Sequence, residues 1–189
     1  MKTTISVILT SIGRNTLPRM LDSLKPQDWI IGDELLVLSD TNHDAVAKML
    51  EGTGLPYRHI AEQQGPLGFY GHILRNKYQA EATGTHVCHI DDDDTCEPNM
   101  LADMRQAATE HPNNCCLFKY YHCQANVFRW EQQLLQRGMV GTPNILHPND
   151  PQLAGKWRPI FCGDFYFIRD ACSKYSEVWV DKVTYKARP

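Results

Sequence analysis

The sequence lacks a long hydrophobic run: no apolar segment of the 189-residue chain approaches the roughly 20 residues needed to cross a bilayer. It also lacks internal repeats, low-complexity segments and an excess of basic residues, since 19 Lys and Arg stand against 22 Asp and Glu. The net charge of −3 offers no global basic surface to nucleic acid or to an anionic membrane, and only a local basic patch remains open. With 42% hydrophobic and 22% charged residues, the composition predicts one globular domain without a membrane span.

The seven cysteines lack the Cys-x-x-Cys spacing that lets two thiolates reach one metal ion. Their number is odd and they are scattered singly or adjacent, as in Cys115-Cys116, which favours reduced thiols over a disulfide framework. A zinc site formed by Cys115, Cys116, His122 and Cys123 is an alternative, but we interpret these cysteines as core residues of a strand. The first apolar segment is too short for a secretory signal. We therefore expect a cytoplasmic protein, either bacterial or, if phage-encoded, in the host cytoplasm.

The first 110 residues alternate short apolar strands with helices of 3.6-residue periodicity. The patterns predict strands at 3–10, 34–39, 57–60 and 86–90, and helices at 17–24, 45–50, 70–81 and 98–108. Strand–helix units at this short spacing are typical of βαβ folds with a mainly parallel sheet. The Gly-x-Gly-x-x-Gly fingerprint is absent after the first strand, which argues against a nicotinamide cofactor.

Residues 111–189 show a less regular pattern. It predicts strands at 115–122, 125–130 and 178–185, helices at 132–137 and 164–175, and a long proline-rich loop at 138–159. Long loops within compact domains are usually functional. We therefore expect residues 138–160, which include Trp157 and Arg158, to form a lid that orders when ligand binds.

Four consecutive carboxylates, Asp91 to Asp94, directly follow the predicted buried strand at 86–90. Such a strand delivers residues to its carboxyl end, where open α/β sheets bind ligands. Four like charges repel one another and need a compensating partner, for which a divalent cation with phosphate oxygens is the best candidate. A solvated acidic turn before the next helix is the alternative. The position after a buried strand favours the metal site, with Mg²⁺ or Mn²⁺ as the cofactor.

These motifs, in this order, resemble family 2-type glycosyltransferases with the GT-A fold. In GHILRNKYQAEATGTHVCHIDDDD, a helix with Arg75-Asn76 leads through Ala82-Thr83-Gly84 to the strand that ends in the acidic run. The opening ISVILTSIGR and the closing VWVDKVTYKAR are similar to the first and last strands of that family. The resemblance implies an α/β GT-A fold over 1–189, with a mainly parallel sheet flanked by helices. It also implies a Rossmann-like half at 1–110 that binds a nucleotide sugar and an acceptor half at 111–189.

The same resemblance implies a metal-dependent hexosyltransferase that moves a sugar from a nucleotide donor, a UDP-sugar, to an acceptor hydroxyl. The acceptor would be a glycan or glycoconjugate, or a hydroxylated nucleobase in DNA. Two rivals stay open: a nucleotidyltransferase, which shares the α/β sheet and an acidic metal site, and a module that binds a nucleotide sugar without turnover. A nucleotidyltransferase would normally carry a glycine-rich phosphate loop after its first strand, and Ser11-Ile12-Gly13-Arg14 is only a faint version of it.

The resemblance assigns the metal and sugar contacts to the acidic run. Asp93 would bind the metal that bridges to the diphosphate, Asp91 would contact the metal or the ribose, and Asp94 would orient the donor sugar. Asp92 is expected to point the other way, because successive side chains of a strand alternate. His147 would complete the metal shell, with an ordinary surface position as the alternative.

Nucleotide contacts are implied for residues on other loops. Thr10 and Arg14 lie on the first loop, where the base would bind. Asp40 ends the second strand as the acid that binds uracil or ribose, unless it only caps its own loop. Arg75 would fix the electrostatics of the nucleotide or of the acidic run, unless it lies on the surface. Arg158, in the expected lid, would donate to the diphosphate.

Asp164 is the candidate general base. It follows Gly163 and begins a predicted helix, near the point where the family places its catalytic carboxylate, usually in a Glu-Asp pair that is Gly-Asp here. Such a carboxylate would deprotonate the acceptor hydroxyl as it attacks the anomeric carbon, inverting the sugar in one displacement. A helix N-cap is the alternative role, and in that case retention of configuration stays open.

Overall fold

A computed structural model of the chain describes residues 2–129 and 131–189. Its strands in these ranges are β1 (Ile5–Ser11), β2 (Glu34–Ser39), β3 (Tyr57–Ala61), β4 (His86–Asp91), β5 (Thr95–Cys96), β6 (Cys115–His122), β7 (Val127–Arg129), β8 (Ile145–Pro148) and β9 (Glu177–Ala187). Its α-helices are α1 (Leu17–Leu24), α2 (His43–Leu50), α3 (His72–Tyr78), α4 (Met100–Glu110) and α5 (Gly163–Cys172). None of the helices in the described part of the chain is both long and apolar enough to cross a membrane.

The first half forms a parallel sheet in the order β3-β2-β1-β4. Every residue of β1 is buried, as expected for a strand that is covered on both faces. Helix α1 packs on this sheet through residues that recur at the spacing of one helical face: Leu17, Met20, Leu21 and Leu24. Because the strands are parallel, the carboxyl ends of β1, β2 and β4 meet at one edge of the sheet, where a ligand can reach them.

The second half continues the same sheet. Strand β8 lies antiparallel between β4 and β6, β6 pairs in parallel with β9, and the two-residue β5 pairs with the far side of β9. Helix α5 buries Phe167, Ile168 and Ala171 in a core cluster that includes Trp157 and Ile145. One continuous sheet therefore runs through both halves of the chain. The predicted α/β fold class, with mostly parallel strands and flanking helices, is confirmed.

Two predicted elements at the start of the second half differ in the structure. Residues 132–137 do not form a helix, because the segment has no apolar face to bury: most of its side chains are exposed, including Leu134 at 46%. The strand predicted at 125–130 begins at Val127, after a turn in which Asn126 has a positive φ of 53°. Trp130 lies outside the described residues.

The proline-rich segment at 138–159 was predicted to be one long loop, but it contains β8. Three residues of this strand, Ile145, Leu146 and His147, are buried between β4 and β6. The strand is only four residues long, so its sequence shows no periodicity that could distinguish it from a loop. Its presence fixes the middle of the expected lid inside the central sheet.

Candidate active site

A pocket of about 610 Å³ opens at the carboxyl ends of β1, β2 and β4, within the usual range for ligand sites. Thr10, Asp40 and Asp91 line it from the ends of these three strands. Asp164 and Thr142 line it from the second half of the chain. The fold therefore gathers most of the predicted site residues around one cavity.

The carboxylates of the acidic run point in different directions. Asp92 is 3% exposed and accepts hydrogen bonds from Ser11 Oγ at 2.7 Å and from Arg14 Nη1 at 3.0 Å. Asp91, Asp92 and Asp93 all border the pocket, but only Asp91 and Asp93 keep a substantial part of their side chains exposed, 31% and 35%. Arg14 Nη1 also lies 3.1 Å from Asp93 Oδ2, so one guanidinium compensates two carboxylates from the first loop. Asp91 and Asp93 are therefore the carboxylates with free oxygen surface toward a ligand.

Arg75 compensates the acidic run from inside the protein. Its side chain is fully buried, and its Nη2 donates to Asp91 Oδ1 at 2.6 Å and to the Ile90 carbonyl at 2.9 Å. Its Nη1 donates to the Tyr70 carbonyl at 3.1 Å, which ties the loop at 65–71, with glycines at positions 65, 68 and 71, to the acidic run. Of the two roles predicted for Arg75, the structure shows the contact with the acidic run and does not bring its guanidinium to the pocket surface. Because the Arg75 side chain is fully buried, the alternative of a surface arginine is wrong.

The closing strand β9 holds the other end of the run. Asp94 is 4% exposed, and its Oδ1 accepts a hydrogen bond from the backbone N–H of Arg188 at 2.7 Å. Burial, followed by repulsion from Asp91, raises the pKa of Asp94 to about 7. The hydroxyl of Tyr185 accepts from the backbone N–H of Asp91 at 2.9 Å. Asp94 thus lies beneath the pocket wall and is not among the residues that line the pocket, whereas Arg188 is.

Asp40 lines the pocket and keeps one carboxylate oxygen unpaired. The residue is 5% exposed, and its Oδ2 accepts from the backbone N–H groups of Leu67 at 2.8 Å and Gly68 at 3.3 Å. Its Oδ1 is buried without a hydrogen-bond partner in the described structure. A Cβ at Gly65 would lie 2.0 Å from the Asp40 carbonyl oxygen, so only glycine fits where the loop crosses this residue. Because buried polar atoms are rarely left unpaired, Oδ1 is the atom of Asp40 that still lacks a hydrogen-bond donor.

Asp164 lies on the second-half side of the same pocket, in the first turn of α5. Its Oδ1 accepts the backbone N–H of Phe165 at 2.7 Å. Cys162 occupies the N-cap position of α5, so the alternative role of Asp164 as the N-cap is wrong. Burial, reinforced by the charge of Asp91, raises the pKa of the Asp164 carboxyl, while the Phe165 N–H opposes the rise. A raised pKa makes the ionised carboxylate a stronger base.

His147 is not brought together with the acidic run. It is 2% exposed in β8, and its Nε2 lies 3.4 Å from Nε2 of His89, with the two rings stacked. Burial lowers its pKa to about 4. The register pairs His147 with Val87, four residues before Asp91, which corresponds to about 13 Å along the strand. The surface alternative for His147 is also wrong, since the ring lies in the core.

Trp157 is a core residue, so the lid expectation is wrong for this part of the segment. Its side chain is fully buried and stacks on Phe167, with 4.3 Å between ring centroids. Its backbone N–H donates to Asn76 Oδ1 at 2.9 Å, and its carbonyl accepts from Asn76 Nδ2 at 2.6 Å. Asn76 belongs to the Arg-Asn motif of α3, so this motif anchors the segment to the first half. Arg158, the next residue, turns outward over Tyr166 and does not line the pocket.

Trp157→Ala is expected to lower the free energy of unfolding by about 3–5 kcal/mol, the usual cost of removing a large buried aromatic side chain. Urea denaturation followed by circular dichroism measures this change. Phe161→Ala is the control, at an aromatic residue four positions after Trp157, because Phe161 is 80% exposed and its loss should change stability by no more than about 0.5 kcal/mol. Equal effects of the two substitutions would contradict the core assignment of Trp157.

Sequence reasoning missed the part of the pocket that β6 and β7 form. Tyr120 and His122 of β6 and Arg129 of β7 line the pocket, and Arg129 Nε is buried without a hydrogen-bond partner. In the sequence, the alternation Tyr120-x-His122 indicates that both polar side chains lie on one face of the strand, and this pattern could have predicted their place at the pocket.

No group of three or more His, Cys, Asp or Glu side chains that could by itself hold a metal ion occurs in residues 2–129 and 131–189. Asp91 and Asp93 offer two partly exposed carboxylates instead. Mg²⁺ and Mn²⁺ sites that work on nucleotides usually combine one or two carboxylates with substrate phosphates and water. The residues present therefore fit a cation that binds together with a nucleotide.

Comparison with known proteins places the chain in a family. Residues 6–175 match the model of Glycosyl transferase family 2, and the chain belongs to that family. No curated protein matches it significantly. Among solved structures, TarS 1–349 from S. aureus has a TM-score of 0.80 at 19% identity, covering 98% of this chain and 60% of that one.

Two further structures carry ligands. TarS 1–349 in complex with UDP-GlcNAc has a TM-score of 0.77 at 18% identity, over 98% of this chain and 58% of that chain. The mannosyltransferase PcManGT from Pyrobaculum calidifontis, in complex with GDP-Man and Mn²⁺, has a TM-score of 0.70 at 16% identity. The match covers 97% of this chain and 56% of that chain. At such identities these likenesses show the fold, and this chain spans between 56% and 60% of the length of the three structures. The predicted GT-A fold and the family resemblance are confirmed.

Proposed function

We propose that the protein transfers a sugar from a nucleotide donor, a UDP-sugar, to an acceptor hydroxyl, with dependence on Mn²⁺ or Mg²⁺ and inversion at the anomeric carbon. The observation that carries the proposal is the arrangement of one pocket. Its first-half wall bears Asp40 and the two exposed acids Asp91 and Asp93, and its second-half wall bears Asp164. Donor-binding groups and a candidate base thus face a common space.

The first-half wall supports binding of a nucleotide. The unpaired Oδ1 of Asp40 is an acceptor for a donor N–H of the base or a hydroxyl of the ribose. Thr10 lines the same wall, and Arg14 brings a half-exposed guanidinium to the edge of the acidic run. The complexes of TarS with UDP-GlcNAc and of PcManGT with GDP-Man support a nucleotide-sugar donor for this fold. We propose Thr10, Arg14 and Asp40 as nucleotide contacts on this basis.

Asp93 and Asp91 would hold the divalent cation. Asp93 would be the main ligand, because the fully buried Arg75 holds Asp91 Oδ1 at 2.6 Å, whereas the partner of Asp93, Arg14, is half exposed and lies at 3.1 Å. When bound, the cation would stabilise negative charge on the diphosphate leaving group as a Lewis acid. Asp94 supports the run from beneath and would act on the donor sugar only through its neighbours, since it does not line the pocket. His147 is left out of the proposed shell because β8 places it in the core.

Asp164 would act as the general base. Its carboxylate takes the proton of the acceptor hydroxyl while the hydroxyl oxygen forms a bond to the anomeric carbon and the bond from that carbon to the diphosphate breaks. Its raised pKa suits this role, and the pocket volume leaves room for both substrates. A single displacement of this kind inverts the anomeric centre.

We also propose that the acceptor is a saccharide or a hydroxylated nucleobase and that the protein works in the cytoplasm. A saccharide hydroxyl and the hydroxyl of a modified nucleobase are both compatible with an inverting transfer at this pocket. The seven cysteines are free thiols, and five of them are buried, which supports a reducing compartment such as the cytoplasm.

Donor turnover with and without metal tests the proposed function. We expect UDP to be released from UDP-glucose or UDP-GlcNAc in the presence of Mn²⁺, and no release when EDTA replaces the metal. A nucleotidyltransferase would release pyrophosphate from UTP in a parallel assay. A binding module would retain the UDP-sugar without turnover, and either result would overturn the proposal.

A further inference from the structure

Three arginines surround one aromatic ring next to the pocket. The guanidinium carbons of Arg158, Arg137 and Arg169 lie 4.4, 4.9 and 5.0 Å from the ring centroid of Tyr166 in α5. We refer to Arg137, Arg158 and Arg169 around Tyr166 as the Tyr166 arginine cluster. The three arginines come from separate parts of the chain: the segment before β8, the segment after β8, and α5 itself.

The positive charge of this cluster is not balanced. Asp170 pairs with Arg169 at 3.0 Å and lies 3.7 Å from Arg158, while Arg137 has no carboxylate within 4.0 Å in the described structure. A single arginine over a tyrosine ring stabilises an exposed site by about 0.5–1 kcal/mol. A second and a third cation on the same ring add mutual repulsion, so packing alone does not account for the cluster. An external anion would relieve this repulsion.

The cluster adjoins residues that line the pocket on its second-half side. Arg137 directly precedes Gly138, which lines the pocket, and Tyr166 follows Asp164 by two residues in α5. Side chains two residues apart on a helix do not face each other, so the cluster lies outside the cavity. The exposed ring of Phe161, which lines the pocket, belongs to the segment that joins Arg158 to α5. An acceptor with its hydroxyl at Asp164 can therefore extend out of the mouth toward the cluster.

We propose that the Tyr166 arginine cluster binds a phosphate group of the acceptor, which makes the acceptor a saccharide or polyol that carries phosphate near the reacting hydroxyl. This inference rests on the proposed function, because it assumes that Asp164 faces the acceptor. Guanidinium groups match phosphate oxygens as two-pronged donors, and the exposed Arg158 and Arg169 keep 45% of their side chains accessible. Nucleic acid is disfavoured, because its binding typically uses about 6–10 phosphate contacts, and this chain offers one compact cluster at a net charge of −3.

Calorimetric titration in EDTA, without nucleotide, tests the cluster separately from the donor site. The probe is a short synthetic oligo(glycerol phosphate), compared with maltohexaose, which is uncharged, and with an oligothymidylate of the same number of phosphates. We expect the wild-type protein to bind oligo(glycerol phosphate) and not maltohexaose. Arg137→Gln with Arg158→Gln should weaken binding about tenfold, as expected for two partly exposed charge-assisted contacts.

A charge-matched control separates the cluster from general electrostatics. Lys25→Gln with Lys48→Gln also removes two positive charges, one directly after α1 and one in α2. Neither lysine lines the pocket, so the affinity should stay nearly unchanged. If the double variant does not fold, Arg137→Gln alone replaces it. This substitution breaks no ion pair and should by itself weaken binding. An equal loss in the lysine control, tighter binding of oligothymidylate, or binding insensitive to the arginines would overturn the inference.

The donor site is measured in the same variants. UDP affinity in Mn²⁺ should stay at the wild-type value in both arginine variants, because neither arginine lines the pocket. Absence of UDP binding in the wild-type protein would instead contradict the proposed function, whatever the phosphate probe does. The two failures are therefore distinguishable.

Discussion

Asp164→Asn is expected to lower sugar transfer by roughly 10² to 10⁴, the usual contribution of general acid–base catalysis, while UDP-sugar affinity stays near the wild-type value. The amide cannot take a proton from the acceptor hydroxyl. It does keep an oxygen that can accept the Phe165 N–H, which Asp164 accepts at 2.7 Å, so the fold should lose less than about 1 kcal/mol. Transfer kinetics and calorimetric titration with the donor measure the two effects on the same sample.

The pH dependence gives this prediction a second readout. A base works only when deprotonated, and burial with the charge of Asp91 raises the pKa of Asp164. Transfer by the wild-type protein should therefore fall as the pH drops through that raised pKa, at a higher pH than an ordinary aspartate would give. Near-normal turnover of a folded Asp164→Asn variant would contradict the assignment of the base. A product that retains the donor's anomeric configuration would contradict the single displacement.

The elements of the first half could be predicted because their signals are local. The face of α1 and the continuous apolar run of β1 appear within short windows of sequence. The acidic run was predicted at the end of a buried strand, and β4 delivers Asp91 to the pocket in that way. Local patterns fail where an element is defined by its neighbours. Strand β8 is a strand because it fills the space between β4 and β6.

The same distinction applies to the candidate site. The residue types at the pocket followed from motifs, but the direction of each side chain depends on contacts between distant segments. Arg75 is held inside the protein by hydrogen bonds to Asp91 and to the Tyr70 carbonyl. The backbone of Trp157 is held by hydrogen bonds with Asn76, 81 positions earlier in the chain. Asn76 and Trp157 are too far apart to fall within one window of sequence, and although Arg75 and Asp91 are only 16 positions apart, no periodicity or spacing shows that they touch. An arginine or a tryptophan in a functional motif therefore does not reveal whether it touches the ligand or supports a residue that does.

Asp93→Ala is expected to abolish the gain in UDP affinity that Mn²⁺ provides, which we expect to be at least tenfold, or about 1.4 kcal/mol, in the wild-type protein. Asp93 is the partly exposed acid of the run whose side chain is not engaged by Arg75. Its removal leaves Arg14 paired with Asp92 at 3.0 Å, so the first loop keeps its anchor. Calorimetric titration of UDP in Mn²⁺ and in EDTA measures the gain for each variant.

Asp92 supplies the control, since it belongs to the same run and is only 3% exposed. Asp92→Ala should reduce the metal-dependent gain much less than Asp93→Ala does. Asp92→Asn removes the same formal charge while keeping an acceptor for Ser11 Oγ, and it guards against loss of the fold in the alanine variant. Equal losses at Asp92 and Asp93 would mean that the run attracts the cation only as a diffuse charge. Equal UDP affinity of the wild-type protein in Mn²⁺ and in EDTA would remove the metal from the mechanism, because a cation bridging carboxylate and diphosphate must tighten both contacts together.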